Sequence, residues 1–123
     1  MPTRPRRDAS ELLPLPVSEF QILLALVDDE RHGYGIKGEV ALRTDGEVQL
    51  GPGTLYGSIK RMVASGLIEE SDDRPDPALD DERRRYYRVT AFGREVAVAE
   101  ARRMERLVAL ARRKRLLGRL GTA

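Results

Sequence analysis

Apolar positions recur at helical spacing in four stretches of this chain, and short alternating runs lie between them. Pro14 and Pro16 punctuate the start. Ser18-Glu19-Phe20-Gln21 then reads as a capping box, hydroxyl and amide satisfying orphan N–H groups ahead of an apolar run. A first helix is predicted from Ser18, its apolar side made by Phe20, Leu23, Leu24, Ala25, Leu26 and Val27, with Asp28 to Arg31 ending it in solvent. His32, just before Gly33, is expected to cap or brace the entry to a second helix. That helix runs to about Leu42, with Ile36 and Val40 on one face, and Thr44-Asp45-Gly46 closes it.

Glu47-Val48-Gln49-Leu50 alternates and is expected to form a short strand. Gly51-Pro52-Gly53 turns the chain into a third helix from about Thr54 to Ser65, with Gly66 at its C′ position. Leu67 to Ser71 and Arg84 to Val89 read as two strands, joined by a polar loop, 72–83, that holds Pro75 and Pro77. The order helix, helix, short strand, helix, strand, loop, strand is that of a winged helix-turn-helix. The expected fold class is therefore mainly α with a small β-hairpin wing, followed by one long C-terminal dimerisation helix. Three regions follow: a basic, proline-rich arm at 1–17, the winged unit at 18–90, and the C-terminal helix with its basic tail at 91–123.

Thr90 caps that last helix, predicted from Ala91 to about Arg113 and so some 35 Å long. Its apolar residues cover about 200° of the circumference, where one docking face needs about 100°. One side is expected to pack on the chain's own domain and the other on the same helix of a second subunit. The interface is expected at Val96, Ala99, Met104, Leu107, Val108, Leu110 and Ala111, ending there because Lys114 and Arg115 follow on the same side. Glu100 and Arg103 sit inside this apolar arc, three apart, paired either within the helix or across the two-fold axis.

The third helix has an unusual outer face. At 100° per residue, Leu55, Ile59, Met62 and Val63 cluster between about 80° and 180°, while Thr54, Ser58 and Arg61 lie between about −20° and 40°. Gly57 and Ala64 extend that second face, which has no acid. A face kept only for solubility would carry Glu and Lys, so a partner is expected to come close. Thr54, Gly57, Ser58 and Arg61 are placed to meet base edges, and Gly53, Tyr56 and Lys60 to meet phosphate. The glycine-rich turn before this helix is no nucleotide loop, because the Gly-Lys-Ser/Thr of a Walker motif is missing and no βαβ unit surrounds it. Arg83, Arg84 and Arg85, at the end of the hairpin loop, are the wing's candidates for the DNA backbone. Against them stand Asp80-Asp81-Glu82 and Glu69-Glu70, close enough to neutralise the arginines internally.

Bulk charge adds little support. The formal net charge of the 123 residues is only +2. Its distribution is uneven, with residues 1–7 and 102–123 together carrying +10 and leaving 8–101 at −8. Local patches, not total charge, must then contact nucleic acid. The chain has no cysteine and one histidine, which excludes disulfides, thiolate chemistry and an imidazole-rich metal site, so no metal or cofactor is expected. The basic N-terminus leads into Asp8-Ala9-Ser10-Glu11 rather than an apolar leader, and no apolar run is long enough for a membrane, so a cytoplasmic protein is expected. No nucleophile, base and orienting group are assembled in the manner of an enzyme.

Four motifs in order carry a family resemblance: His32-Gly-Tyr-Gly-Ile36; Gly51-Pro-Gly-Thr-Leu-Tyr-Gly57 leading to Lys60-Arg61; Gly66-Leu-Ile-Glu69; and Arg83-Arg-Arg-Tyr-Tyr-Arg88 with Val89-Thr90 and Gly93. Over residues 17–93 the chain resembles the PadR-like transcriptional regulators, in the subgroup with a short C-terminal helix. The resemblance implies a winged-helix repressor that dimerises through that helix and binds a double-stranded operator, in many members released by a small aromatic or drug-like ligand. A sequence-specific regulator on a pseudo-palindromic operator is the function expected. The alternative is a winged module used for protein contacts, its acidic loop facing a basic partner and its third helix idle.

Overall fold

The computed structural model describes residues 7–71 and 85–118. A 3-10 turn, Ala9–Leu12, precedes α1 (Val17–Leu26), β1 (Arg31–His32), α2 (Gly33–Arg43) and α3 (Pro52–Ala64). The hairpin strands β2 (Ile68–Ser71) and β3 (Tyr86–Val89) and the helix α4 (Ala91–Arg113) complete the chain. The three strands form one antiparallel sheet in the order β1-β3-β2, with Glu70 opposite Tyr87 and Arg31 opposite Tyr87 from the other edge. This is the mainly α architecture with a hairpin wing that the order of elements predicts. The wing's loop, with Arg83 and Arg84, lies outside the described residues.

One core joins the helices and the hairpin. Ile22, Leu23 and Leu26 of α1, Ile36 and Val40 of α2, and Leu55, Ile59 and Met62 of α3 are buried, as are Leu67, Ile68 and Tyr87 of the hairpin and Val96 and Ala97 of α4. Ala9, Leu12 and Leu13 pack on the same core, so the N-terminal segment from Ala9 closes its edge.

Two caps form as the sequence predicts. His32 Nδ1 accepts from the Gly35 N–H at 3.0 Å to start α2, and Thr90 Oγ1 accepts from the Gly93 N–H at 2.9 Å to start α4. The Thr90 hydroxyl donates back to the chain entering β2, its Oγ1 lying 2.6 Å from Gly66 O and 3.1 Å from Leu67 O. Gly93 makes this crossing possible: a Cβ there would sit 1.9 Å from the Leu67 carbonyl oxygen.

The capping box at Ser18 does not form. The helix starts a residue earlier, with Pro16 at its N-cap and no side-chain cap, because the Ser18 hydroxyl has a partner in α3, Ser58 Oγ at 3.1 Å. Glu47 to Leu50 is not a strand; Thr44 Oγ1 takes the Val48 N–H at 3.1 Å, and buried Leu50 anchors the loop to the core. The third strand is instead Arg31–His32, expected to lie at the solvent end of the first helix. Arg31 is half-buried there, its Nε donating to Ala25 O at 2.7 Å.

The apolar arc of α4 divides along the helix rather than around it. Gly93, Val96, Ala97 and Glu100 are buried against the chain's own domain, and no described residue after Glu100 is buried. Met104, Leu107, Val108 and Ala111 continue in the same sector, about 120° wide, over the roughly 20 Å that follow. Val96 is therefore corrected from dimer interface to core: it is fully buried beneath α1 and the hairpin. Glu100 and Arg103 pair within the helix. The Glu100 carboxylate is fully buried and also accepts the Leu15 N–H at 2.8 Å, tying the N-terminal segment to α4. The Arg103 hydrogen bond holds its carboxyl below the usual range, aided by the Leu15 amide and opposed by burial.

Candidate nucleic-acid interface

Helix α3 buries Leu55, Ser58, Ile59 and Met62 and turns the opposite side outward. Gly53, Thr54, Lys60, Arg61 and Ala64 are exposed, and Tyr56 and Gly57 are half-buried. Gly51 at the N-cap and Pro52 at N1 offer no side-chain acceptor to the first-turn amides. The helix thus presents a small, acid-free surface with its positive dipole end open.

Ser58 departs from the expected base-contact set. It faces the domain on the Leu55 and Met62 side of the helix and is fully buried, with Ser18 Oγ on one side and Arg61 Nη2 donating at 3.2 Å on the other. Thr54, Gly57 and Arg61 do share the outward face. Arg61, 62% exposed, also places Nε 3.5 Å from the carboxylate of Glu19, a buried residue of α1. Sequence reasoning read Glu19 only as part of a cap. A signal was present, because Glu19, Ile22, Leu23 and Leu26 fall at i, i+3, i+4 and i+7, which puts a carboxylate on the apolar stripe.

Tyr56 is wedged against the start of α2, where a Cβ on Gly33 would lie 2.6 Å from the phenol oxygen. Beyond it a cleft of about 300 Å3 separates α3 from the hairpin, with Tyr56, Lys60 and Val63 on the helix side and Glu70, Arg85 and Tyr87 on the strand side. The internal neutralisation weighed for the wing takes place in part: Arg85 Nε is 3.2 Å from Glu70 and Arg88 Nε 2.9 Å from Glu69. All four side chains are at least 45% exposed, and pairs in such positions contribute about 0–1 kcal/mol, little enough to exchange for a phosphate.

Among the described residues, no group of three or more His, Cys, Asp or Glu could hold a metal ion, and no helix is long and apolar enough to cross a membrane. On the outer part of α4, Leu107 is 52% exposed and Val108 and Leu110 41% each, while Ala99, Met104 and Ala111 are partly covered.

The profile of the PadR-like family of transcriptional regulators matches residues 22–99. Transcriptional regulator Rv3488 of Mycobacterium tuberculosis is 34% identical over 88 residues, which are 72% of this chain and 76% of that protein. An uncharacterised 37.1 kDa protein in transposon TN4556 of Streptomyces fradiae is 34% identical over 90 residues, 73% of this chain, but the chain spans only 24% of its length. It spans 64% of protein X of Lysinibacillus sphaericus, at 32% identity over 73 residues, 59% of this chain. In three dimensions the fold matches Bacillus subtilis PadR in complex with operator DNA, with a TM-score of 0.58 at 20% identity, covering 70% of this chain and 46% of that one. With a profile match over most of its length, the winged architecture and a relative matched along most of both chains, the protein belongs to the PadR-like family of DNA-binding transcriptional regulators, which are not enzymes.

Proposed function

We propose that this regulator is a cytoplasmic repressor that binds a pseudo-palindromic operator as a homodimer, with one α3 helix in each of two successive major grooves, about 34 Å apart. The observation that carries the reading is the outward face of α3, where Thr54, Gly57 and Arg61 sit on a helix face that itself carries no acidic residue, beside an uncapped helix N-terminus. Arg61 supplies a guanidinium fork of the kind that pairs with guanine, while Thr54 and Gly57 let the helix come close. Gly53, Tyr56 and Lys60 bind the flanking phosphates, and Arg85 does so from the wing after exchanging Glu70 for DNA. Repression follows from occlusion of polymerase at the operator.

In a mobility-shift titration on the selected operator, Arg61→Ala is expected to lose about 1–3 kcal/mol of binding free energy. Unchanged affinity would remove Arg61 from the base-contact set. A chain that binds no duplex even at low salt would instead support a protein-interaction module.

The homodimer reading is supported by the exposed outer half of the α4 stripe, which in a two-fold pair meets its own copy through Met104, Leu107, Val108, Leu110 and Ala111, with Ala99 at its edge. Release by a small aromatic or drug-like effector completes the proposal. The cleft between α3 and the hairpin has aromatic walls, and its roughly 300 Å3 lies at the small end of pockets that hold such molecules. An occupant there competes with the DNA backbone for Lys60 and Arg85. Displacement of fluorescent operator by an aromatic compound set is expected to yield ligands that lose their effect in Tyr87→Leu; ligands indifferent to that change would place the effector site elsewhere.

A further inference from the structure

Glu19 belongs to the same apolar stripe as Ile22, Leu23 and Leu26, yet it is a carboxylate and is only 8% exposed. A charge in that position is costly unless a counter-charge stabilises it. Its oxygen lies 3.5 Å from Arg61 Nε, on the neighbouring helix. A second support reaches Arg61 from the same side, since Nη2 donates to Ser58 Oγ at 3.2 Å and Ser58 is itself fixed by Ser18 at 3.1 Å. Both supports engage the guanidinium from the domain side. They leave the two Nη1 hydrogens and one Nη2 hydrogen for a further partner. The third element is Gly57, one turn back: Arg61 Nη1 lies 3.5 Å from where a Cβ on Gly57 would be, so the side chain runs back over a residue that has none.

We propose that Glu19 is a specificity-determining positioning residue, whose buried carboxylate holds Arg61 in the orientation that reads a guanine in the major groove. This rests on the reading of α3 given above. An arginine ordered before binding loses little rotamer freedom on meeting its base, and its fork arrives with a fixed direction. The carboxylate also offsets the positive charge that would draw Arg61 to any phosphate. Glu19 thereby lowers indiscriminate attraction and sharpens base reading together, a pairing of effects that a purely structural residue would not produce.

The test uses the whole chain. A randomised duplex library is selected with wild type, and the best duplex is then compared with versions changed at each base pair. Arg61→Ala is expected to lose roughly tenfold to a hundredfold of the discrimination at one guanine, as a base contact of this kind should. Glu19→Gln is expected to lose on the order of threefold to tenfold at the same base pair and to bind unrelated duplex more tightly, with a steeper salt dependence from the removed negative charge. In the Arg61→Ala background Glu19→Gln should change discrimination no further. Ser58→Ala, which removes the second support without the charge, is expected to relax the same position and leave unrelated binding unchanged, and it carries the test should Glu19→Gln fail to fold.

Full discrimination in Glu19→Gln or Ser58→Ala, alongside a loss in Arg61→Ala, would overturn the positioning role and leave the base contact standing. Equal discrimination in Arg61→Ala and wild type, or no enriched sequence at all, would overturn the reading of α3 and this inference with it.

Discussion

Glu100 shows how a single buried carboxylate governs more than its own helix. Its oxygens are shared between Arg103, one turn along α4, and the Leu15 amide, 85 residues away in sequence. Because the folded state holds this carboxyl below its ordinary value, its contribution to stability is fully present above the unfolded carboxylate pKa, about 4.3. It is lost as pH falls through the lower folded value. Glu100→Ala is expected to cost roughly 1.5–3 kcal/mol near pH 7, the range for a hydrogen bond to a charged group. Urea unfolding at a series of pH values should show the wild-type and variant curves converging below pH 4 or so. A constant gap across that range would remove ionisation as the source of the stability. The sequence shows Glu100 as a charge in an apolar arc, but its partner across the fold arises only from tertiary packing. Glu19 and Ser58 pose the same problem, since their positions on a stripe or face are local while the hydroxyl and guanidinium that engage them come from another helix.

At the level of elements, α4 was legible to the residue at both ends, because its Thr90 cap and its apolar period are local properties. The division of its apolar arc was not, since the breadth of an arc does not reveal where along the helix a neighbour stops. The structure separates the two halves cleanly, and this makes the dimer proposal easy to test. Leu107 is 52% exposed and lies beyond the last buried residue of α4, so Leu107→Lys should leave the monomer fold intact while placing a charge in the proposed two-fold contact. Sedimentation at micromolar concentration is expected to show monomer, with an unchanged circular dichroism spectrum; a folded dimer would refute the interface. Strands were harder to read than helices. β1 is two residues long and exists only through its pairing with β3, whereas Glu47 to Leu50 has the alternation of a strand but no partner in the sheet. Alternation records which side chains face inward, and Leu50 does face inward, from a loop.

For the molecule as a whole, the charges are arranged by position rather than abundance. Positive charge gathers at the two ends of the chain, and within the acidic middle, at −8 over residues 8–101, α3 itself carries no Asp or Glu. A protein built this way should bind unrelated DNA weakly and depend on correct docking. Lys60, exposed on the flank of α3, is assigned to phosphate, so Lys60→Ala is expected to weaken binding by a similar factor on every sequence and to flatten the salt slope by about one unit. A loss confined to the selected operator would move Lys60 into the base-reading set.

The junction at Thr90 and Gly93 gives this layout a mechanical meaning. The Leu67 carbonyl under the first turn of α4 belongs to a residue whose own N–H closes the end of α3 on Met62 O at 2.9 Å. The last turn of α3, the start of the wing and the start of α4 are thus tied together through one residue, Leu67. In a two-fold pair such an assembly behaves as a caliper, with the α4 helices as arms and the α3 helices as tips. Tilting an arm of some 35 Å by five degrees shifts its far end by about 3 Å, roughly one base-pair step. In the proposed two-fold pair, a change in how the α4 helices cross would be read out as a change in the spacing of the two tips.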